Sequence, residues 1–206
     1  IGDLSEAQCP AKLVDDALKA FGGLDAVVSN AGITSPAPLI DLPVSKWDKL
    51  LNVNARATLL LAQAAYPALK ESKGALVAVA SMSGMGAHPG MGAYSPSKAA
   101  LISLCQVLAQ EWACDGINVN TVSPGMIRTP LTQKVYENNQ IAKERAALVP
   151  WGRVGNPEDI SNVISFLLSP EANYITGQNI LVDGGFVDSL YRHIPGLPDS
   201  SEIDKT

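Results

Sequence analysis

The sequence predicts an α/β fold: a parallel sheet covered by helices on both faces. Three observations carry that expectation. Short runs rich in valine and alanine alternate with longer stretches of helical periodicity. The short runs are largely apolar, as strands buried on both faces are. Asn30-Ala31-Gly32, Ser81 and Pro124-Gly125 directly follow three of these runs, where ligands bind in such sheets.

The elements follow in order. Ser5 is expected to cap a helix whose apolar residues Leu13, Val14, Ala17, Leu18 and Phe21 recur at helical spacing, up to Gly22-Gly23. Leu24–Ser29 reads as a strand buried on both faces. Residues 41–70 read as mostly helical, with Pro43 near the start and Pro67 near the end. Ala75–Ala80 is the next buried strand. Tyr94–Cys114 is a long helix stopped by Gly116, with Leu101, Leu104, Cys105, Leu108 and Trp112 on its apolar face. Ile117–Ser123 is a third strand, Leu131–Ala147 a charged helical segment, Pro157–Leu168 a helix opening on proline, and Asn179–Val182 a last strand. No repeat or linker divides the chain. Residues 1–206 are therefore expected to form one domain, with 187–206 as a tail longer than the sheet requires. Phe186, Tyr191, His193 and Pro195 mark it as a candidate subunit contact.

Composition excludes several function classes. The chain has 206 residues, 47% hydrophobic and 17% charged, a one-domain length with no compositional sign of disorder. Fifteen basic and twenty acidic residues leave a net charge of −5 with no cationic run, so no nucleic-acid partner is expected. Cys9, Cys105 and Cys114 form no CxxC, and with two histidines no metal site is expected. Such sparse thiols suit a cytoplasmic location. The longest stretch free of acidic and basic residues, Gly74–Ser97, holds five glycines and two prolines. It reads as a strand and a loop, so no membrane span is expected.

Tyr94 and Lys98 are the leading chemical candidates. At i and i+4 they share one helix face. A free tyrosine, with its pKa near 10, is about a thousandfold too protonated to act as a base at neutral pH, and a nearby cation favours the phenolate. With five tyrosines and ten lysines in the chain, about 0.2 such pairs arise by chance, so the pair needs company. Ser81 closes the preceding strand, and Asn54 lies mid-helix, where asparagine is a mediocre helix former. Taken singly, Ser81 also fits a strand-end cap and Asn54 a solvated helix face.

Taken together, the motifs resemble the classical short-chain dehydrogenases/reductases. The matching pieces are Ser29-Asn30-Ala31-Gly32, Asn52-Val53-Asn54-Ala55, Ser81 thirteen residues before Tyr94, Tyr94-Ser95-Pro96-Ser97-Lys98, Asn120-Thr121-Val122-Ser123-Pro124-Gly125 with Thr129, and Asp183-Gly184-Gly185. They keep the family's order and spacing over about residues 3–186. The resemblance implies a Rossmann-like doubly wound parallel sheet and hydride transfer between NAD or NADP and a secondary alcohol or ketone. It implies Tyr94 as general acid/base, Lys98 lowering the tyrosine's pKa and binding the nicotinamide ribose, and Ser81 holding the substrate oxygen. Asn54 would bind a water linking Lys98 to solvent. Asn30, Ala31 and Gly32 would run along the adenosine ribose, and Asp3 would contact the adenine amino group. Leu4 and Val53 join that cofactor set, while Pro124, Gly125, Ile127 and Thr129 would enclose the nicotinamide. Family members are commonly tetramers built on the Tyr94 helix, so a homotetramer or homodimer is expected.

The family also opens with a strand and a TGxxxGxG turn that cradles the pyrophosphate. No residues before Asp3 match it, so the N-terminal strands of the fold are expected to be missing. The chain reads as the C-terminal three quarters of a protein about 55–65 residues longer. Gly84-Met85-Gly86-Ala87-His88-Pro89-Gly90 is rejected as the phosphate turn because it follows the wrong strand. Without the second strand's end, NAD and NADP cannot be told apart. The expected substrate wall is Ser81, Met82, Ser83, His88, Met91, Tyr94, Met126 and Trp151, with Met85 and Tyr136 nearby. Such a methionine-rich lining suits a small apolar alcohol or ketone and offers no charged clamp. Residues 131–147 are expected to cover it. Two alternatives stay open: a non-catalytic truncated subunit or binding protein of this fold, and an epimerase or dehydratase using the same tyrosine and lysine.

Overall fold

The computed structural model describes residues 2–195. Its first helix, α1 (Cys9–Phe21), carries Pro10 in the opening turn, where a missing N–H costs nothing. It closes on Gly22, whose φ of 79° lets its N–H donate to the Leu18 carbonyl. The helix therefore starts four residues after the expected cap at Ser5. That residue sits in a turn instead, its N–H bonded to Asp3 Oδ1 at 2.8 Å.

Four parallel strands follow in the order β1 (Ala26–Ser29), β2 (Ala75–Val79), β3 (Asn118–Pro124) and β4 (Asn179–Val182). Ala26 lies opposite Ala75, Ala75 opposite Asn118, and Thr121 opposite Asn179. β2 is the strand the sequence pattern describes best. Leu76 and Ala78 face one layer while Val77 faces the other, and all three are fully buried. The expectation for the first strand needs correction. Only Val27 of β1 is buried, and Val28 is 44% exposed, because β1 is the edge strand of the described sheet and no described helix covers its second face.

One face of the sheet carries α1, α3 (Ala57–Ser72) and α4 (Tyr94–Trp112), joined through Val14, Leu69, Leu101 and Trp112. The other carries α7 (Pro157–Leu167), with Ile160 and Leu167 against Val77 and Val122. The mostly helical stretch expected over 41–70 is α2 (Val44–Leu51), a π-helical turn at Asn52–Arg56, and α3. A π-turn inserts one residue into a helix and often marks a functional position; here it carries Asn54. The charged segment over 131–147 becomes two short helices, α5 (Gln133–Tyr136) and α6 (Asn139–Leu148). They rest on a small cluster of Tyr136, Ala142 and Val154.

Among the described residues no helix is long and apolar enough to cross a membrane, and no cluster of potential ligands could hold a metal ion. Residues 196–206 of the expected tail lie outside the described residues.

Candidate active site

The carboxyl end of β2 turns sharply at Ser81, whose hydroxyl accepts from the Ser83 N–H at 3.1 Å and starts a 3-10 turn at Met82–Gly84. That turn lies flat on α4. A Cβ at Gly84 would stand 2.8 Å from the Lys98 backbone carbon and 2.9 Å from Ile102 Cδ1. The glycine therefore serves helix packing, in accord with its rejection as a phosphate turn. The close approach sets Ser81 beside Tyr94 at the start of α4.

Tyr94, Lys98, Asn54 and Ser97 form one connected group, and the last three are almost wholly buried. Asn54 Oδ1 accepts the Ile33 N–H at 2.8 Å, and its amide donates to the Ile33 carbonyl at 3.0 Å and to Ser97 Oγ at 2.9 Å. Ser97 in turn donates to the Tyr94 carbonyl at 2.7 Å. Both Asn54 amide protons are thus used within the protein. A water expected on this side chain could be taken only by Oδ1, which keeps a lone pair. Ser97 stands inside the quoted Tyr94–Lys98 motif, but sequence reasoning gave it no role. Its small size and placement three residues after Tyr94 were the available signal.

Lys98 donates to the Val79 carbonyl at 2.8 Å, and its Nζ lies 5.9 Å from the centre of the Tyr94 ring. Burial pushes its pKa down to about 8. Burial also pushes the Tyr94 phenol above its ordinary value, with the Ser81 side chain pulling the other way. This corrects the expectation that Lys98 lowers the tyrosine. Desolvation outweighs the Ser81 hydrogen bond, which is the one group that favours phenolate, while the Lys98 ammonium is bonded to the strand carbonyl.

The implied cofactor residues divide among three places. Asp3, Leu4, Ala31, Gly32 and Val53 line one open cleft of about 640 Å3, together with Ile33 and Lys49. A Cβ at Gly32 would sit 3.3 Å from Lys98 Nζ and 3.4 Å from Asn54 Oδ1. The cleft floor thus adjoins the buried cation, which uses one of its three donors in the protein. That bare, donor-rich floor fits a ribose with its hydroxyls. Asn30 is exposed and outside the lining. Pro124 and Gly125 end β3, and a Cβ at Gly125 would strike Asp183 Cβ at 2.5 Å. Ile127 lines a smaller hollow with Met126 and Trp151, and Thr129 lines another with Arg128 and Tyr136.

The expected substrate wall is assembled in part. Met82, Ser83, His88 and Met126 line a cavity of about 390 Å3, with Ser83 Oγ 3.1 Å from His88 Nδ1. Ser81, Met91, Tyr94 and Trp151 are outside its lining. Met91 bridges to Ala37, and Trp151 is 73% exposed over the hollow beside Asp183. Gly86, Ala87, Arg145, Leu148, Phe186 and Val187 complete the lining, and sequence reasoning missed all six as pocket residues. Phe186 had been read as tail. It turns inward because Asp183 caps the backbone N–H groups of Gly185 and Val187 at 2.8 and 2.7 Å. Arg145 corrects the expectation of an uncharged wall: α6 runs beside the cavity and presents that one charged residue to it.

A family model described as enoyl-(acyl carrier protein) reductase matches residues 2–187. The 3-oxoacyl-[acyl-carrier-protein] reductase of Thermotoga maritima is 39% identical over 178 residues, covering 85% of this chain and 71% of that protein. A short-chain type dehydrogenase/reductase from Mycobacterium marinum superposes with a TM-score of 0.81 at 32% identity, covering 89% of this chain and 73% of that one. The Pseudomonas aeruginosa RhlG/NADP active-site complex superposes with a TM-score of 0.84 at 32% identity, over 89% and 74% of the two chains. With its parallel sheet, its motif order and these likenesses, the chain belongs to the short-chain dehydrogenase/reductase family, whose cofactor is NAD or NADP.

Proposed function

We propose that this protein is an NAD(P)-dependent oxidoreductase that interconverts a secondary alcohol and a ketone, with Tyr94 handling the proton. The observation that carries this reading is the Tyr94–Ser97–Asn54–Ile33 hydrogen-bond chain, which holds Tyr94 and buried Lys98 against the open floor at Gly32. When bound, the nicotinamide supplies or accepts the hydride. The rest of the chemistry belongs to the protein.

In ketone reduction the Tyr94 hydroxyl donates its proton to the carbonyl oxygen as that oxygen gains charge, and the Ser81 hydroxyl steers the same atom. A raised phenol pKa keeps Tyr94 in the donating form at neutral pH. Alcohol oxidation needs the phenolate and therefore gains rate as pH rises. Lys98, whose Nζ lies beneath Gly32, would hold the cofactor ribose, and it keeps a cation near the phenol until about pH 8. Asn54 fixes the Ile33 backbone that forms the cleft wall. Asp3, Leu4, Ala31 and Val53 would hold the adenosine end, and Met82, Met126, Leu148 and Phe186 the apolar part of the substrate.

Tyr94→Phe is the test. Loss of ketone reduction by at least about a hundredfold, with NAD(P)H binding retained, is expected from removal of a general acid; full turnover would overturn the reading. A homotetramer or homodimer is proposed on the uncharged outer face of α4, where Ala99, Ala100, Ser103, Gln106, Val107 and Gln110 are exposed. Light scattering on the purified chain measures its mass, and a monomer would refute that part.

A further inference from the structure

Three observations around α5 and α6 have no place in the chemistry above. First, Tyr136 is 8% exposed, and its hydroxyl has no hydrogen-bond partner among the described residues. Second, two guanidiniums share its ring: Arg128 lies 5.2 Å and Arg145 5.6 Å from the ring centre. Third, neither guanidinium has a carboxylate within salt-bridge distance or a side-chain hydrogen bond among the described residues. The nearest acidic residues in sequence, Glu137 and Glu144, instead accept from Gln133 and Gln140 at 3.1 and 2.9 Å.

Two like charges converging on one ring repel each other, and the ring's negative face offsets only part of that cost. Together they form a positive field with five donors on each fork. Arg145 also lines the 390 Å3 cavity, together with Met82, Met126, Leu148 and Phe186. The cavity lining is therefore largely apolar, with Ser83, His88 and the guanidinium of Arg145 as its polar groups. Ser81 and Tyr94 are not in that lining, but Met82 and Ser83 are, and the Ser83 N–H bonds Ser81 Oγ at 3.1 Å, so the cavity adjoins Ser81 and also carries Arg145.

We infer that the substrate is an amphipathic keto acid or hydroxy acid, and that Arg145 is the specificity residue that holds its carboxylate, with Arg128 reinforcing the field. Tyr136 sets the orientation of both guanidiniums. This inference rests on the oxidoreductase reading of Tyr94 and adds the chemical class of the substrate. A planar fork suits a carboxylate in two-point contact.

Acetophenone, para-acetylbenzoate and the methyl ester of the latter test it, because all three present the same ketone and only one is charged. The wild-type protein is expected to prefer para-acetylbenzoate over the other two by about tenfold in kcat/KM, the equivalent of one charge-assisted contact. Arg145→Met should abolish that preference through KM, and Arg145→Lys should restore part of it. A wild type with no preference, or a preference untouched in Arg145→Met, overturns the inference and leaves the hydride-transfer reading intact. A raised KM for NADPH with an unchanged ketone preference also overturns it, by assigning the guanidinium to a cofactor phosphate. If none of the ketones is reduced, the oxidoreductase reading fails. Saturation-transfer NMR of para-acetylbenzoate against wild type and Arg145→Met then decides the carboxylate site separately: weaker binding by the variant supports it, and equal binding refutes it.

Discussion

The two walls of the candidate site are built differently. One wall is the buried centre of the molecule: β2, β3 and α4, with Ser81, Tyr94, Lys98 and the Asn54 turn behind them. The other is the cover formed by α5, α6 and the segment after β4, resting on a cluster of three buried residues. In the first wall the key polar side chains have protein partners, as Asn54, Ser97 and Lys98 do. In and beside the cover, the buried Tyr136 hydroxyl and the Arg128 and Arg145 guanidiniums have no such partner among the described residues. The contrast separates reaction from recognition. On the proposed function, the chemistry sits where packing holds atoms still, and discrimination sits where side chains can adapt.

The largest expected difference comes from one substitution made in both walls. Leu101 of α4 is fully buried in the main core, so Leu101→Ala should cost about 3 kcal/mol in urea unfolding. Leu148 of α6 is 43% exposed, and Leu148→Ala should cost under about 1 kcal/mol while raising KM for ketones. Equal costs in the two places would show that the cover is as tightly packed as the centre, and the contrast would fail.

A smaller effect tests the buried cation. Lys98 has its pKa lowered from 10.5 to about 8 by burial, so the folded chain binds fewer protons than the unfolded chain between those values. Stability therefore rises with pH across that window as the cost of the buried charge is lifted. Lys98→Met removes that cost but leaves the Val79 carbonyl without its donor. The variant should be inactive yet more stable than wild type by about 1–3 kcal/mol at neutral pH. Denaturant melts of the two proteins should show this gap closing from about pH 8 to pH 10. A gap that stays constant would mean that the ammonium is not what makes the site costly.

The same contrast explains what the amino-acid order revealed. β2, β3 and α4 were legible because Leu76, Val77 and Ala78 are apolar in succession and Tyr94 to Lys98 carries a spaced motif. β1 was misjudged because Val27 and Val28 look alike in sequence, while edge position exposes one and buries the other. The π-turn was invisible because nothing in Asn52–Arg56 distinguishes one extra residue per turn from a regular helix. Tyr94 and Lys98 were found, but the direction of the tyrosine's pKa was not, since it depends on the burial around the phenol. Arg145 was passed over for a related reason. In an exposed, charged segment one arginine resembles another, and only the packing of α6 on Val154 and Tyr136 selects the one that meets the cavity.

The smallest effect is the sharpest test of the cover. Tyr136 buries a hydroxyl for which the described protein provides no partner. Desolvating such a group without a compensating bond is unfavourable, and removing it is neutral or stabilising when the ring's packing is kept. Tyr136→Phe keeps the ring between Arg128 and Arg145 and should raise stability by up to about 1 kcal/mol, read as a small increase in Tm. A loss of the same size would mean that the hydroxyl has a partner in solution, with the cover closed more tightly than the described hydrogen bonds account for. The cover would then be a second ordered wall, and recognition would rest on a preformed surface in place of an adaptable one.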